Sequence, residues 1–340
     1  TVMTGDNAAD LACVSTVTDD FAALKNSGLL ADLSGEESIR AFTERLRPDI
    51  KALVTTEDGR IVGLPRYVFP MPLYWRQDAW DAAGLTAEDV PQSYTELLDF
   101  LDRWIDRVTA APETSVCVMN VSSWSTLVGK AGYVHWLLDI LLNTWEMQAY
   151  AAGETLNFDT PEFIALLTRT KDVGLRLAKA EPRLKKRAKM QVLFENYDGG
   201  HLFNDGRDYG LSHTVPFRIT REQPALQRAD SEIQVVRAGS VWEKEGIACF
   251  AAELSHLTQD DPHLLMDIAP KTWTMADGEW TETLTQGYLD DLADADGTFC
   301  FAPRYTIFTY EGAMLKFLQG QLSVEQFAKI ISVPKRDPNA

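Results

Sequence analysis

The chain has 340 residues, 45% of them hydrophobic, with a formal net charge of −18 and a pI near 4.7. That length predicts about two domains, each with a sizeable buried core. The acidic balance excludes nucleic acid as the main partner, because phosphate binding needs a basic face, and it favours a monomer.

The chain carries no signal for a metal, a cofactor or a membrane span. The four cysteines are Cys13, Cys117, Cys249 and Cys300. None forms a CxxC pair and no histidine cluster accompanies them, so a structural zinc site is not expected. Each lies in an apolar run, which predicts that each cysteine is a small buried hydrophobic residue. Whether they form disulfides is left open by the sequence.

No run approaches the ~20 apolar residues of a membrane helix. Residues 1–5 lack the features of a signal peptide, so the chain is cytoplasmic, mature, or without its natural beginning.

The first part of the chain predicts a strand, a polar loop and a helix. Residues 10–14 form the strand, and the helix begins near Phe21 and ends at Gly28. Ligands of open α/β sheets bind at the carboxyl ends of strands. Ser15 and Thr16 are therefore candidate ligand-binding residues.

The stretch from residue 58 to residue 85 predicts two strands around a crossing. Residues 61–65 and 73–75 read as strands, residues 66–72 as an irregular segment, and residues 78–83 as a helix closed by Gly84. Arg66 and Tyr67 lie in the crossing and are expected to face a ligand. Tyr74 and Trp75 fall inside a strand and are expected in the core.

Helix signals recur along the rest of the chain. A helical pattern covers residues 38–53, interrupted by Pro48. Ser93 with Glu96, and Ser323 with Gln326, match capping boxes, while Thr160 and Pro161 match a helix start. Long helices are predicted from residues 93–107, 127–145, 162–180, 242–257 and 310–319, and the last helix covers residues 324–331. Strands are predicted at residues 116–121, 233–236 and 298–302.

Two polar segments have compositions that could bind a ligand. Residues 183–189 are basic, which is typical of an anion or membrane patch or, as we favour, of a solvated helix end. Residues 194–209 are rich in Asp, Asn and Gly and predict a loop. They lack the alternate spacing and closing Glu of an EF-hand, so calcium binding is not expected.

No catalytic motif stands out. The sequence contains no GxSxG, no P-loop, no strand-borne GxGxxG and no HExxH. Among 50 acidic residues a glycosidase carboxylate pair can be neither picked out nor dismissed. Aromatic residues in loops without a reactive cluster favour a binding protein over an enzyme.

Five segments, in order, resemble the family 1 extracellular solute-binding proteins of bacterial ABC importers, the group that includes maltose-binding protein. They are GDNAADLACVS from Gly5, GLLADLS from Gly28, the whole stretch from Asp58, PQSYTELLDFLDRW from Pro91, and LKFLQGQLSVEQFAKII from Leu315. Each motif is loose, but five in the right order are fairly specific, and together they span residues 5–331.

The resemblance implies an α/β fold of two lobes, the class II periplasmic-binding-protein type, which closes on a ligand held in the cleft. Lobe 1 is expected from residues 1–112 plus about 233–297, and lobe 2 from 113–232 plus about 298–340. It implies no chemistry: a small solute, expected to be a carbohydrate, is handed to membrane permease subunits. By position it adds Trp124, Arg304 and Tyr305 to Ser15, Thr16, Arg66 and Tyr67 as ligand-binding residues. Each of these also has a purely structural interpretation, as packed aromatics or surface ion pairs.

The sequence departs from the family at its beginning. Members start with a further strand–helix–strand unit that this chain lacks, so lobe 1 is expected to be incomplete. That unit would also carry any signal segment or lipidated cysteine. The resemblance alone therefore implies an extracellular location, either anchored to the outer face of the cytoplasmic membrane or periplasmic. Open alternatives are a sensor, an adhesion module or a degenerate relative without transport, and a carbohydrate-active enzyme.

Overall fold

The structure is a computed structural model that describes residues 9–16, 21–70, 73–111, 116–119, 131–181, 191–196, 212–215, 218–255, 271–276, 279–284, 298–302 and 310–332. The described chain falls into two compact units. Unit 1 is drawn from Thr1–Pro70, Arg228–Ala293 and Thr298–Pro303, and unit 2 mainly from Met71–Gln227 and Arg304–Ala340.

Helices and strands are mixed throughout the described chain. The strands are β1 Leu11–Ser15, β2 Leu64–Pro70, β3 Leu73–Arg76, β4 Val116–Cys117, β5 Gln191–Val192, β6 Phe194–Asn196, β7 Ser212–Val215, β8 Leu226–Val236, β9 Lys271–Ala276, β10 Glu279–Leu284 and β11 Thr298–Cys300. The helices are α1 Phe21–Lys25, α2 Glu37–Glu44, α3 Pro48–Val54, α4 Gln77–Ala82, α5 Tyr94–Ala110, α6 Gly132–Ala151, α7 Pro161–Ala180, α8 Glu243–Ser255, α9 Glu311–Leu318 and α10 Val324–Ile331. A mixed α/β fold agrees with the predicted fold class.

Unit 1 is organised around β8, the central strand of a 4-stranded sheet with β1, β2 and β11. Both β1 and β2 pair antiparallel with β8, and Ile233 has Val14 and Pro65 as its partners on the two sides. Ile233 and Val235 are 0% exposed. Gly63 permits a close approach here, since a Cβ at that position would lie 2.5 Å from Ile233 Cγ2. The apolar face of the sheet is therefore tightly filled around Ile233.

Unit 2 combines short strands with long helices. Strand β3 pairs antiparallel with β6 and β7, while β4 and β5 pair in parallel. An aromatic cluster fills the space under β3: the Trp80 ring lies 5.3 Å from Phe100, 5.2 Å from Phe194 and 5.5 Å from Trp75. Tyr74 and Trp75 are 5% and 7% exposed, which confirms their predicted place in the core.

The helix starts that were predicted from the sequence are present. Ser93 Oγ accepts a hydrogen bond from Glu96 N, and Thr160 Oγ1 accepts one from Phe163 N. The capping box predicted at Ser93 is only half formed, because Glu96 Oε2 accepts from Gln92 N and not from Ser93 N. At α10 the capping box is complete: Ser323 Oγ accepts from Gln326 N, and Ser323 N donates to Gln326 Oε1. These side chains satisfy backbone N–H groups that have no partner inside the helix.

Several expectations need correction. Residues 66–70 are not irregular but belong to β2, which keeps its pairing with β8 through a bulge between Pro65 and Tyr67. Residues 194–196 form β6 instead of opening a loop. Cys13 and Cys249 are exposed, whereas Cys117 and Cys300 are buried as predicted, and none of the four is joined in a disulfide. The helical pattern over residues 38–53 divides into α2 and α3, with Pro48 as the first residue of α3.

The bounds of the two units differ from those of the predicted lobes, which stay a prediction. The first crossing lies at Pro70–Met71, and α5 belongs to unit 2, whereas the sequence placed the crossing near residue 112. The reason is packing: the Tyr94 hydroxyl of α5 donates to Leu137 O at 3.0 Å and lies 2.7 Å from Thr170 Oγ1, which ties α5 to α6 and α7.

Candidate ligand-binding face

The end of β1 holds the first two predicted ligand-binding residues. Thr16 is 1% exposed, its backbone N donates to Ser231 O at 2.9 Å, and its Oγ1 accepts from Ser231 N at 2.8 Å. The Thr16 hydroxyl thus extends the ladder between β1 and β8 by one residue. It fixes the end of β1, which is a structural role, whereas the Ser15 side chain is half-buried.

The sheet register aligns two of the predicted residues across β8. Ser15 on β1 pairs with Glu232 on β8, and Tyr67 on β2 pairs with the same residue. Residues directly opposite each other in antiparallel strands are nearest neighbours on one face of a sheet. We call Ser15, Glu232 and Tyr67 the polar row; it gathers candidates that are 52 positions apart in the sequence, from 15 to 67.

The structure says less about the other predicted ligand-binding residues. Arg66 lies in β2 at the bulge between Pro65 and Tyr67. Trp124, Arg304 and Tyr305 lie outside the described residues, so their predicted roles stay predictions. The basic run at 183–189 lies outside them as well, as does most of the segment tested for calcium.

Sequence reasoning missed Glu232. The strand prediction began at Ile233, so the residue before it was not considered part of the sheet. The signal was available in the alternation of β8: Glu232 and Gln234 are half-buried, whereas Ile233 and Val235 are buried. A period of two marks a strand with one apolar and one polar face.

Buried charge lies further along β8, where the chain passes from unit 2 to unit 1. Arg228 is 1% exposed, and its Nη1 donates to the backbone oxygen of Ala302. Burial raises the pKa of the neighbouring Cys300 thiol, although a backbone hydrogen bond at Ala302 and the Arg228 charge work against that rise. Cys300 is therefore a protonated, inert core residue at neutral pH.

The chemistry of the polar row is that of hydrogen bonding. Ser15 and Glu232 carry a hydroxyl and a carboxylate, which can donate and accept hydrogen bonds with a polar solute, and the register places Tyr67 opposite Glu232. Within the described ranges, no group of three or more His, Cys, Asp and Glu side chains is arranged to hold a metal ion. Nor is any helix among the described residues long and apolar enough to cross a membrane.

The family of the chain follows from comparison with family models. Residues 1–189 match the model described as "Bacterial extracellular solute-binding protein". This chain belongs to that family. The match covers more than half of its 340 residues, and it confirms the resemblance found in the sequence motifs. Comparison with curated protein sequences gave no significant match.

Solved structures share the fold of this solute-binding protein at low sequence identity. A sugar transporter protein from Bacillus licheniformis in complex with stachyose is 14% identical, with a TM-score of 0.56 over 96% of this chain and 84% of that chain. The maltose-bound T. maritima MalE3 is 16% identical, with a TM-score of 0.53 over 97% and 84%. A Listeria monocytogenes ABC substrate-binding protein in complex with cycloalternan is 13% identical, with a TM-score of 0.52 over 97% and 85%.

Proposed function

We propose that this protein captures a neutral carbohydrate outside the cell and delivers it to the permease of an ABC importer. The observation that carries the proposal is family membership combined with fold neighbours whose bound ligands are stachyose, maltose and cycloalternan. These ligands differ in size and linkage but share a dense set of hydroxyl groups. The residue types of the polar row can hydrogen-bond such hydroxyls, which supports the proposal.

The proposed binding face is the polar-row side of the unit 1 sheet. Ser15, Arg66, Tyr67, Trp124, Arg304 and Tyr305 remain our candidate ligand-binding residues. Aromatic rings stack on the apolar faces of sugar rings, while hydroxyl and charged groups fix the orientation of the sugar. Thr16 is expected to act only indirectly, by holding the end of β1.

A thermal-shift panel tests the proposal. The panel contains maltose, stachyose, D-mannitol and N,N′-diacetylchitobiose, each titrated up to millimolar concentration. A ligand present at 100 times its dissociation constant stabilises the folded protein by about 2.7 kcal/mol. That corresponds to a rise of a few degrees in Tm for a chain of this size. Isothermal titration calorimetry of each positive compound then gives the dissociation constant.

Amino acids and a short peptide, run in parallel, are the controls for a different solute class. The carbohydrate assignment fails if none of the sugars raises Tm while an amino acid or peptide does. The binding role fails if the sugar is consumed. We expect chromatography after overnight incubation to recover the bound sugar unchanged, since the family and its fold neighbours are binding proteins.

Delivery and location complete the proposal. We expect the sugar-loaded monomer to stimulate ATP hydrolysis by its cognate permease complex in proteoliposomes, whereas the sugar-free monomer stimulates it less. We expect the natural protein to be held at the outer face of the cytoplasmic membrane, so that it fractionates with membranes and is released by mild protease treatment. Appearance in the cytoplasmic fraction would contradict this location.

A further inference from the structure

The central strand of the unit 1 sheet carries a polar stripe. Strand β8 is antiparallel to its neighbours β1 and β2. An antiparallel sheet with one packed face and one more open face alternates apolar and polar residues. Residues 232–235 follow this pattern, because the half-buried Glu232 and Gln234 lie on the face opposite to the buried Ile233 and Val235.

Nothing in the described part of the chain engages the Glu232 side chain. It takes part in none of the hydrogen bonds or ion pairs of the described residues, in contrast to its strand neighbours Arg228, Asp230 and Ser231. The backbone of Glu232 is held on both sides by its pairing with Ser15 and Tyr67. The result is a carboxylate that projects from a fixed backbone position and whose acceptor capacity is unused within the described chain.

The sheet face that carries Glu232 is polar at Glu232 and apolar at Val236, further along β8. A Cβ on Gly246 of α8 would meet Leu11 Cδ2 at 2.7 Å and Val236 Cγ1 at 3.4 Å, so α8 packs on the row formed by Leu11 and Val236. Glu232 is four residues away along the strand, roughly 13 Å. Apolar packing therefore occupies one end of this face, and the polar row occupies the other end, at the carboxyl end of β1.

We infer that Glu232 is the specificity-determining residue of the solute site: it accepts hydrogen bonds from sugar hydroxyls and excludes acidic sugars. The inference rests on the proposed function. An ionised carboxylate is purely an acceptor, so it matches the hydroxyl donors of a neutral sugar. It repels the carboxylate of a uronic acid. Repulsion between like charges in a binding site weakens the binding of the wrong ligand.

The test compares three proteins by isothermal titration calorimetry: the wild type, Glu232→Gln and Glu57→Gln. Glu57 is exposed and lies in the same unit, so its variant changes net charge equally without touching the polar row. The probes are maltose, stachyose and N,N′-diacetylchitobiose as neutral sugars, and digalacturonate as the acidic sugar. Glu232→Gln is expected to weaken the neutral sugar about tenfold or more, the usual cost of a lost charged hydrogen bond. Glu57→Gln is expected to leave binding unchanged.

Two further readouts separate recognition from a merely structural role. The preference for neutral over acidic sugar is expected to shrink in Glu232→Gln and to stay unchanged in Glu57→Gln. The Tm of sugar-free Glu232→Gln is expected to equal or exceed that of the wild type, since no contact within the described chain is lost. A fall in Tm without a change in the neutral-to-acidic ratio would overturn the inference.

The outcomes also separate this inference from the proposed function. Wild-type binding of a neutral sugar together with equal binding by folded Glu232→Gln overturns the role of Glu232 alone. Failure of the wild type to bind any of the neutral sugars overturns the proposed function and, with it, this inference. Glu232→Asp, which keeps the charge and shortens the side chain, is expected to retain the exclusion of digalacturonate.

Discussion

At the scale of single residues, Glu181 shows how a buried charge stabilises unit 2. The side chain follows the end of α7, and the residue is 5% exposed. Its Oε1 accepts hydrogen bonds from Trp104 Nε1 at 2.8 Å and Val118 N at 2.9 Å, and its Oε2 accepts one from the Tyr133 hydroxyl at 2.6 Å. One carboxylate therefore connects α5, the end of β4 and the start of α6.

Removing that carboxylate should be strongly destabilising. We expect Glu181→Ala to lower the free energy of unfolding by about 3 kcal/mol or more, because buried donors lose a charged acceptor. Glu181→Gln should cost less. Its amide oxygen can still accept from Trp104 and Val118, and its NH₂ can donate to the Tyr133 oxygen while that hydroxyl donates to Met119 O. Urea unfolding followed by tryptophan fluorescence measures both variants.

The matched control for this prediction is Glu154→Ala. Glu154 is exposed after the end of α6, so its truncation should change the free energy of unfolding by less than about 0.5 kcal/mol. If Glu181→Ala unfolded at the same urea concentration as Glu154→Ala, the three hydrogen bonds would have no net value, and the junction would depend on apolar packing alone.

At the scale of secondary-structure elements, α6 and α7 approach each other at a glycine. A Cβ on Gly174 of α7 would lie 2.9 Å from the backbone N and Cα of Val134 on α6. Backbone atoms cannot move aside as a flexible side chain can, so a methyl group there must separate the two helices. This contact explains why a glycine stands in the middle of a 20-residue helix.

The variant Gly174→Ala compares two opposing effects on stability. Helix propensity favours alanine by about 1 kcal/mol, whereas the close contact with Val134 disfavours any Cβ at this position. We expect the steric cost to win, with a net destabilisation of 1–3 kcal/mol, roughly the usual cost of overpacking. Gly312 in α9 is the control, because a Cβ there meets nothing within 4 Å. Gly312→Ala should therefore leave stability unchanged or raise it slightly. Equal urea midpoints for the two variants would show that α6 and α7 separate without cost.

The elements differ in how far the sequence predicts them. Helix starts are local: Thr160 with Pro161, and Ser323 with Gln326, form their caps within four residues, and α10 occupies the predicted residues 324–331. Strand β2 cannot be predicted from local sequence, because its two prolines have low strand propensity. It is a strand because it pairs with β8, more than 150 positions away. Gly174 likewise gives no sequence signal until Val134 is placed against it.

The candidate site shows the same limit. Ser15 and Thr16 followed from the rule that ligands bind at strand ends, and Tyr67 from its irregular-looking surroundings. Their alignment across β8 is a matter of register, which depends on long-range pairing and not on local pattern. Glu232 was overlooked because the strand prediction began at Ile233, and its position opposite Ser15 and Tyr67 depends on the same long-range pairing.

At the scale of the whole molecule, ion pairs and a half-buried histidine couple folding to pH. Partial burial opposes ionisation of Asp102, but hydrogen bonds donated by Arg169 and Arg176 outweigh it and lower its pKa. Arg169 also pairs with Asp99, so these contacts join α5 to α7. Burial lowers the pKa of His135 below its ordinary 6.5, and the nearby Asp139 charge offsets only part of that effect.

Both shifts make acid destabilising, but in different pH windows. His135 is neutral in the folded state at a pH where the unfolded chain already takes up a proton, so its contribution is complete above pH 6.5 and is lost as pH falls towards the folded pKa. Asp102 contributes above its ordinary pKa of 3.8, and that contribution is lost as pH falls through the lowered folded pKa. Stability should therefore decline in two stages on acidification.

Urea midpoints measured from about pH 7.5 to about pH 3 resolve the two stages. We expect His135→Gln to reduce the decline between about pH 7.5 and 5.5 while leaving the acidic stage intact. Asp102→Asn should do the reverse, with a small loss at neutral pH because its ion pairs are partly exposed. In 0.5 M salt the Asp102 effect should shrink through screening, whereas the His135 effect should persist because burial causes it. A wild-type slope in His135→Gln between pH 7.5 and 5.5 would assign that stage to other groups.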